Sequence, residues 1–418
     1  MNRSIRSVLM WTIVTTSSIF GSTPPLTWST ISHSVYVSHP EIQKAALATK
    51  AASQNYHFLE ASAAPNISAV LGTTQDLYGG TGSGISETLS ISQPVFPTLF
   101  NRPDLDGAIA LIQKSKADYS VTLASIRLDL ATAYITLWAS EQSVNLAQKI
   151  VNRRQKNLDL VTGRFEAGRE HAGSKAWAGA QFESAKNDLV QAQRDVALTR
   201  RLIQILIGPE LMPDITTLSI SPMFSEMPAP PKINNILNNS AILQSVSANH
   251  RIKVLGRSST SLLLLPSLSA SFTAAQSGPI SGSKASASDL GFKAQLSIPL
   301  FSGGADRLAE DIASTAVETA SADYIAAAQT LESDLRQGWV DVQNASDNWA
   351  SQLLFSAAAQ TRSEIAAAQY SSGLLSYENW DFIETEVINQ LRQVLLRQKT
   401  MALTIAKWDS LVGKELDQ

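Results

Sequence analysis

The sequence contains no cysteine in 418 residues. Disulfides and thiolate metal sites are therefore excluded, and so is an anchor on a lipidated N-terminal cysteine. An excess of one charge is missing as well. The formal net charge is -3 and the isoelectric point about 6.0, which leaves no basic surplus for nucleic acid or anionic lipid. Beyond the N-terminus no run reaches the ~20 apolar residues of a membrane-spanning helix. The stretch Leu262–Leu265 is far too short. Five histidines (His33, His39, His57, His171 and His250) form no pair at metal-ligand spacing. The pieces "GGTGSG" and "SGG" lack the strand–helix setting and the lysine of phosphate-binding loops. No cofactor is expected, no catalytic residues stand out, and nothing points to an enzyme.

What is present favours long helices. Ala, Ser, Leu and Gln dominate, and charged residues are only 17%. Arg3 and Arg6, the apolar stretch Val8 to Phe20, then Pro24 and Pro25 read as an export signal over about residues 1–25. The remainder repeats itself. Pro94 and Pro299, Gly168 and Gly373, Gly208 and Gly413 each lie 205 positions apart. Tyr119 and Tyr324, and Phe165 and Tyr370, share that offset. The unit is too long for a solenoid repeat and reads as a duplicated half-protomer. The expected order is a first repeat over 26–208, a Pro-rich connector over 209–232, a second repeat over 233–413, and a short tail over 414–418.

Each repeat reads helix, strand, strand, long helix, turn, helix. A helix opens at His39-Pro40 and runs to about Ser62. Strands are expected near Pro65–Gln75 and Ile85–Gln93, then at Ser267–Ala275 and Leu290–Ile298, with polar Gly/Ser loops between them. The last strand alternates cleanly, with Leu290, Phe292, Ala294, Leu296 and Ile298 on one face. From about Pro103 to Phe165 no breaker interrupts the chain between Gly107 and Gly163. Some 60 residues at ~1.5 Å each span about 90 Å, more than any compact core. Steps of four and three from Tyr119 to Phe165 fall on apolar residues except at Ser140 and Arg154, a coiled-coil period. The fold class is mainly α with a small β part: antiparallel coiled-coil helices plus two β-hairpins.

Hairpins of ~9-residue strands between such helices have nothing obvious to cover them. If they lie in a membrane, every backbone N–H and C=O needs a partner, so the sheet must close. Four strands cannot close, since the smallest single-chain barrels have about eight. Several copies must then share one barrel, with Ser-, Thr-, Gln- and Lys-bearing strand faces toward water.

The residues that carry a resemblance are "HPEIQKAALATKAA" (His39–Ala52), "GRFEAG" (Gly163–Gly168), "LPSLSASF" (Leu265–Phe272), "LSIPLFSGG" (Leu296–Gly304) and "QYSSGLLSYENW" (Gln369–Trp380). Taken in order they resemble the TolC-like outer-membrane efflux protein family over nearly the whole mature chain. The resemblance implies a homotrimer with a twelve-stranded transmembrane β-barrel above an α-helical barrel. It also implies an outer-membrane location with a large periplasmic helical part, and as partners outer-membrane lipid, a periplasmic adaptor and an inner-membrane pump. It places the periplasmic gate and adaptor contacts at the two inter-helix turns, here Phe165, Gly168, Ser174, Tyr370, Gly373, Leu374, Ser376, Asn379 and Asp381. Tyr370 matches a family tyrosine that holds the gate. Ser174 is a candidate cap for the first return helix, and Ser376 and Asn379 for the second. The family's best-known member has acids six and nine positions after the glycine, where this chain has Asn379 and Phe382.

Other features have plainer readings. Arg153-Arg154 and Arg200-Arg201 are expected at the solvated surface or at helix ends. Trp138, Trp177, Trp339, Trp349 and Trp380 read as packing residues, and Phe96, Phe100 and Phe301 as a membrane-interface belt. A competing function is a periplasmic coiled-coil adaptor that only docks a pump. Two helical hairpins with a β-hairpin inside each repeat argue against it. Drug efflux and type I protein secretion share every feature noted.

Overall fold

The computed structural model describes residues 28–74, 84–100, 102–207, 226–279 and 287–414. The expected signal segment, Gly208, most of the connector, and most of both strand-to-strand loops lie outside the described residues. Helices α1 (Trp28–Ser38) and α2 (Pro40–Ala61) come first, followed by β1 (Asn66–Thr74) and β2 (Gly84–Phe96). Then come α3 (Pro103–Glu166), α4 (Ala172–Ile207), α5 (Ile233–Asn239) and α6 (Ala241–Ser261). Strands β3 (Ser267–Pro279) and β4 (Ala287–Ser297) precede α7 (Ala305–Ser372) and α8 (Tyr377–Val412). Helix α1 is an addition to the sequence reading. Its Ser-rich, β-branched sequence has weak helix propensity, but Trp28, Ile31 and Val35 are buried in the core. The strands β2 and β3 also run further than expected.

Both long helices, of 64 and 68 residues, span close to 100 Å at ~1.5 Å per residue. Pro103 starts α3, where its missing N–H costs nothing, and Asp104 and Asp106 complement the helix dipole. The two polar exceptions in the α3 heptad seam both find partners. The Thr199 hydroxyl donates to Ser140 at 3.2 Å, and Arg154 donates to Asp381 at 3.0 Å.

The main core is a belt where α1 and the ends of α4 and α8 meet the middle of α3. Ile126, Leu130, Ile203 and Ala402 pack there. A neighbouring cluster joins Leu331 and Leu335 of α7 to Met401, Ile405 and Trp408 of α8. Arg127 and Asp409 are fully buried in this belt and pair at 3.3 Å, with Lys414 adding a second cation to Asp409 at 2.8 Å. Near the sheet, neighbouring helices run in the order α2–α3–α6–α7, and at the far end α4–α3–α8–α7. Thus α2 and α4 flank one side of the layer and α7 the other. Both flanks carry exposed apolar side chains: Leu47, Leu198 and Leu202 on one, Ile312, Ile325 and Leu354 on the other.

The two hairpins do not stand apart. β2 pairs with β3, giving one antiparallel sheet in the order β1-β2-β3-β4. The register sorts the faces. Ile67, Ile91, Phe272 and Phe292 form one row, and Ala69, Leu89, Ala274 and Leu290 the next row on that face. The opposite face carries Asn66, Ser92, Ser271 and Lys293, then Ser68, Ser90, Thr273 and Gly291. Among the described residues no helix packs extensively on either face, since the main packed element pairs are helix with helix and strand with strand. Phe292 and Leu290 remain 76% and 74% exposed. The edges at β1 and β4 have no partner strand among the described residues.

Candidate functional site

The far end of the molecule is built from two helix reversals of the same design. At the first, the Gly168 N–H reaches the Phe165 carbonyl at 2.9 Å and the Arg169 N–H reaches Arg164 at 2.8 Å. At the second, the Gly373 N–H reaches Tyr370 at 3.0 Å and the Leu374 N–H reaches Gln369 at 2.9 Å. Both glycines sit in the left-handed region, with φ of 71° and 84°, as this helix stop requires. Leu374 projects from the second turn into solvent. The Ser376 hydroxyl caps α8 by accepting the Asn379 N–H at 3.4 Å.

Two caps differ from expectation. Asn379 lies inside α8 and supplies the N–H that Ser376 receives. Ser174 lies inside α4, buried, and its hydroxyl donates to Glu170 at 2.9 Å. The cap of α4 is His171, whose Nδ1 accepts the Ser174 N–H at 3.2 Å. Histidine is outside the usual set of capping residues, so the pattern hid it.

The two turns are tied to each other. Tyr370 is fully buried. Its hydroxyl donates to Glu170 at 2.8 Å, and its ring stacks on Trp380 with centroids 4.4 Å apart and planes 7° from parallel. The Arg164 guanidinium lies over the other side, 4.6 Å from the ring centroid, and donates to the Tyr370 carbonyl at 2.6 Å. Burial, followed by the Glu170 carboxylate, pushes the Tyr370 phenol upward. Burial works against the charge on Glu170. Hydrogen bonds from Tyr370 and Ser174 and from the His171 N–H outweigh it and hold the carboxyl below its ordinary range. Phe165 is exposed, with the Lys175 ammonium 5.1 Å from its ring centroid.

Further along α3 a second set of contacts binds the two hairpins. Arg153 donates to Glu384 of α8 at 2.6 and 2.9 Å, and Asn157 donates to the same carboxylate at 3.1 Å. The Ser363 hydroxyl of α7 also donates to it. Glu384 is only 2% exposed. Burial opposes its charge, but Arg153 and Ser363 hold the carboxyl below the usual range. Arg154 donates to Asp381 at 3.0 Å and to the Thr385 hydroxyl at 2.9 Å. Asp381 also accepts from Gln181 at 2.8 Å and Trp177 at 3.3 Å, which brings α4 into the set.

This corrects the sequence reading of the arginine pairs. Arg153 and Arg154 are clamps between hairpins, and Arg200 holds Glu141 at 3.0 Å; of the four, Arg201 is exposed. The break that Arg154 makes in the heptad was the available signal. Trp177 is also corrected, being 58% exposed instead of packed. It lines a groove of about 540 Å³ between α4 and α8 with His171, Tyr377, Asp381 and Phe382. Among the described residues no His/Cys/Asp/Glu group could hold a metal ion, and no helix is long and apolar enough to cross a membrane. The arrangement offers hydrogen bonds and ion pairs that can be made or broken between two rigid hairpins.

Comparison with known proteins is consistent with this architecture. Residues 31–208 match the family model described as outer membrane efflux protein. The chain is similar to the open state of the MtrE outer membrane channel of Neisseria gonorrhoeae, with a TM-score of 0.82, 17% identity, and coverage of 94% of this chain and 90% of that one. It is similar to the outer membrane protein VceC of Vibrio cholerae, with a TM-score of 0.80, 16% identity, and coverage of 93% and 96%. The Campylobacter jejuni CmeC outer membrane channel gives a TM-score of 0.79 at 15% identity, with coverage of 94% and 87%.

Proposed function

We propose, for a chain whose residues 31–208 match the outer membrane efflux protein family model, that it is one protomer of an outer-membrane exit duct. The protein passively conducts cargo from the periplasm to the exterior. One observation carries this reading. Among the described residues the four-stranded sheet is uncovered, apolar on one face and hydroxyl-rich on the other, with both edges unpaired. In lipid such a sheet must close, and one chain brings too few strands to do it. Pairing β4 of one copy with β1 of the next closes it, and three copies give the twelve strands that the family resemblance implies. The same operation brings α7 of one copy against α2 and α4 of the next, covering the apolar flanks of both.

Over the loop-side half of β2, residues Ile85, Glu87 and Leu89 are more exposed than Ser86, Thr88 and Ser90 between them, and only at the helix-side end is the order reversed, with Ser92 more exposed than Ile91. A sheet that curves with its hydroxyl face inward has this pattern. The apolar rows then face lipid, and exposed Phe100 and Phe301, with Phe96, mark the periplasmic membrane boundary. The helices carry the conduit into the periplasm. At their far end Phe165, Gly168, Ser174, Tyr370, Gly373, Leu374, Ser376, Asn379 and Asp381 surround the closure and the surface offered to an adaptor and its pump. Tyr370–Glu170 is the latch between hairpins, and the Arg153–Glu384 and Arg154–Asp381 pairs hold α8 above it. Energy comes from the pump, so no nucleotide site is needed here. The adaptor reading is weaker, because an adaptor has no use for a sheet with an apolar outer face and free edges.

The test is direct. Purified protein in detergent migrates as a trimer in unheated gels and as a monomer after heating, and it forms channels in planar bilayers. Monomers in unheated gels, or trimers that give no conductance even with Tyr370 and Glu170 replaced, would overturn the reading.

A further inference from the structure

We propose that Lys293 sets the ionic preference of the β-barrel lumen, favouring anionic groups on whatever passes. The inference rests on the duct reading, in which the hydroxyl face of the sheet lines water. Along that face the register places Asn66, Ser92, Ser271 and Lys293 in one row, with the hydroxyls of Ser68, Ser90 and Thr273 in the next. Among the described residues only two side chains on this face are charged, Asp289 and Lys293, both on β4. Lys293 is exposed and has no ion pair among the described residues. Each additional copy repeats it, so the closed barrel carries a ring of ammonium groups on a nearly neutral wall.

Asp289 does not cancel this ring. Four residues along a strand separate the two by about 13 Å, beyond the ~8 Å screening length of physiological salt. Two rings of opposite sign therefore act as separate zones, the acidic one nearer the loops. A lysine on an edge strand has another possible use, blocking wrong strand pairing before assembly. That use predicts an effect on assembly and none on the potential in the finished lumen.

A chain without cysteine suits the test. Ser271→Cys places a thiol beside Lys293, since the two are register partners. In reconstituted trimers the thiol is reacted with an anionic and a cationic methanethiosulfonate of similar size. At low ionic strength the anion-to-cation rate ratio falls roughly threefold or more when Lys293→Gln is added. Lys293→Arg keeps the ratio, and 1 M salt removes the difference. A ratio indifferent to Lys293→Gln overturns the proposal and leaves the duct standing, whether or not assembly suffers. If Ser271→Cys is inert to both reagents while Phe272→Cys reacts with them, the faces are reversed and the duct reading fails as well.

Discussion

Replacing Glu384 by glutamine keeps the size of a buried side chain and removes its charge. The carboxylate receives two N–H groups of Arg153 at 2.6 and 2.9 Å, Asn157 at 3.1 Å, and the Ser363 hydroxyl. A glutamine oxygen can keep some of these, but its amide nitrogen confronts a guanidinium. Hydrogen bonds to a charged group contribute about 1.5–3 kcal/mol each, and breaking a buried pair costs about 3–5 kcal/mol. The Arg153 side chain is 32% exposed and can turn toward water, which lowers the penalty. The expected cost is therefore ~2–3 kcal/mol per copy. Local opening of the start of α8 becomes more frequent, so amide exchange around residues 380–390 accelerates roughly 30- to 150-fold. Exchange in the Arg127–Asp409 belt stays unchanged. The double replacement Arg153→Met with Glu384→Leu leaves no orphan charge and restores much of the protection. Unchanged exchange in Glu384→Gln, or a double variant worse than the sum of its parts, would refute the clamp.

Tyr370→Phe keeps the stack on Trp380 and loses only the bond to Glu170. It costs about 1.5–3 kcal/mol per copy, and planar-bilayer recordings show longer or larger open states than wild type. Toward the tip, acid acts through two carboxyls whose folded values are depressed, Glu170 and Glu384. Their contribution is complete above the ordinary glutamate value of about 4.3 and is lost as pH falls through the folded values. Hydrogen exchange at the tip, corrected for its intrinsic rate, is accordingly flat from neutral pH to about 5 and rises below about 4. Phe292→Lys puts an ammonium on the apolar sheet face at a cost of up to about 2–4 kcal/mol per copy. Unheated gels then show a loss of trimer, whereas a lysine at the hydroxyl-face position Ser271 leaves the trimer intact.

The elements were legible because their signals are long or periodic. The heptad from Tyr119 to Phe165 and the alternation through Leu290 and Phe292 each repeat one physical requirement several times. The glycine stops were legible because only glycine adopts φ near +80° without strain. Side-chain pairings between distant elements left weaker traces. Nothing in the sequence joins Arg153 to Glu384, 231 positions away, except that arginine is out of place beside a heptad seam. Glu170, His171 and Arg164 lay at the first turn, but their roles depend on how the second turn faces them. Helix α1 was invisible because its order comes from the belt it packs into, not from its own propensity.

The pairing of β2 with β3 has a further consequence. In the proposed barrel it makes the junction between the two hairpins inside one chain the same kind of antiparallel seam that β4 and β1 would form between chains. A closed ring of three chains is then a ring of six half-units, in which every second seam is covalently tethered. Tethering makes half of the associations intramolecular and removes most of the translational entropy they would otherwise lose. Only three seams remain to be found by diffusion, and substitutions that impede assembly should concentrate on β1, β4 and the helices beside them.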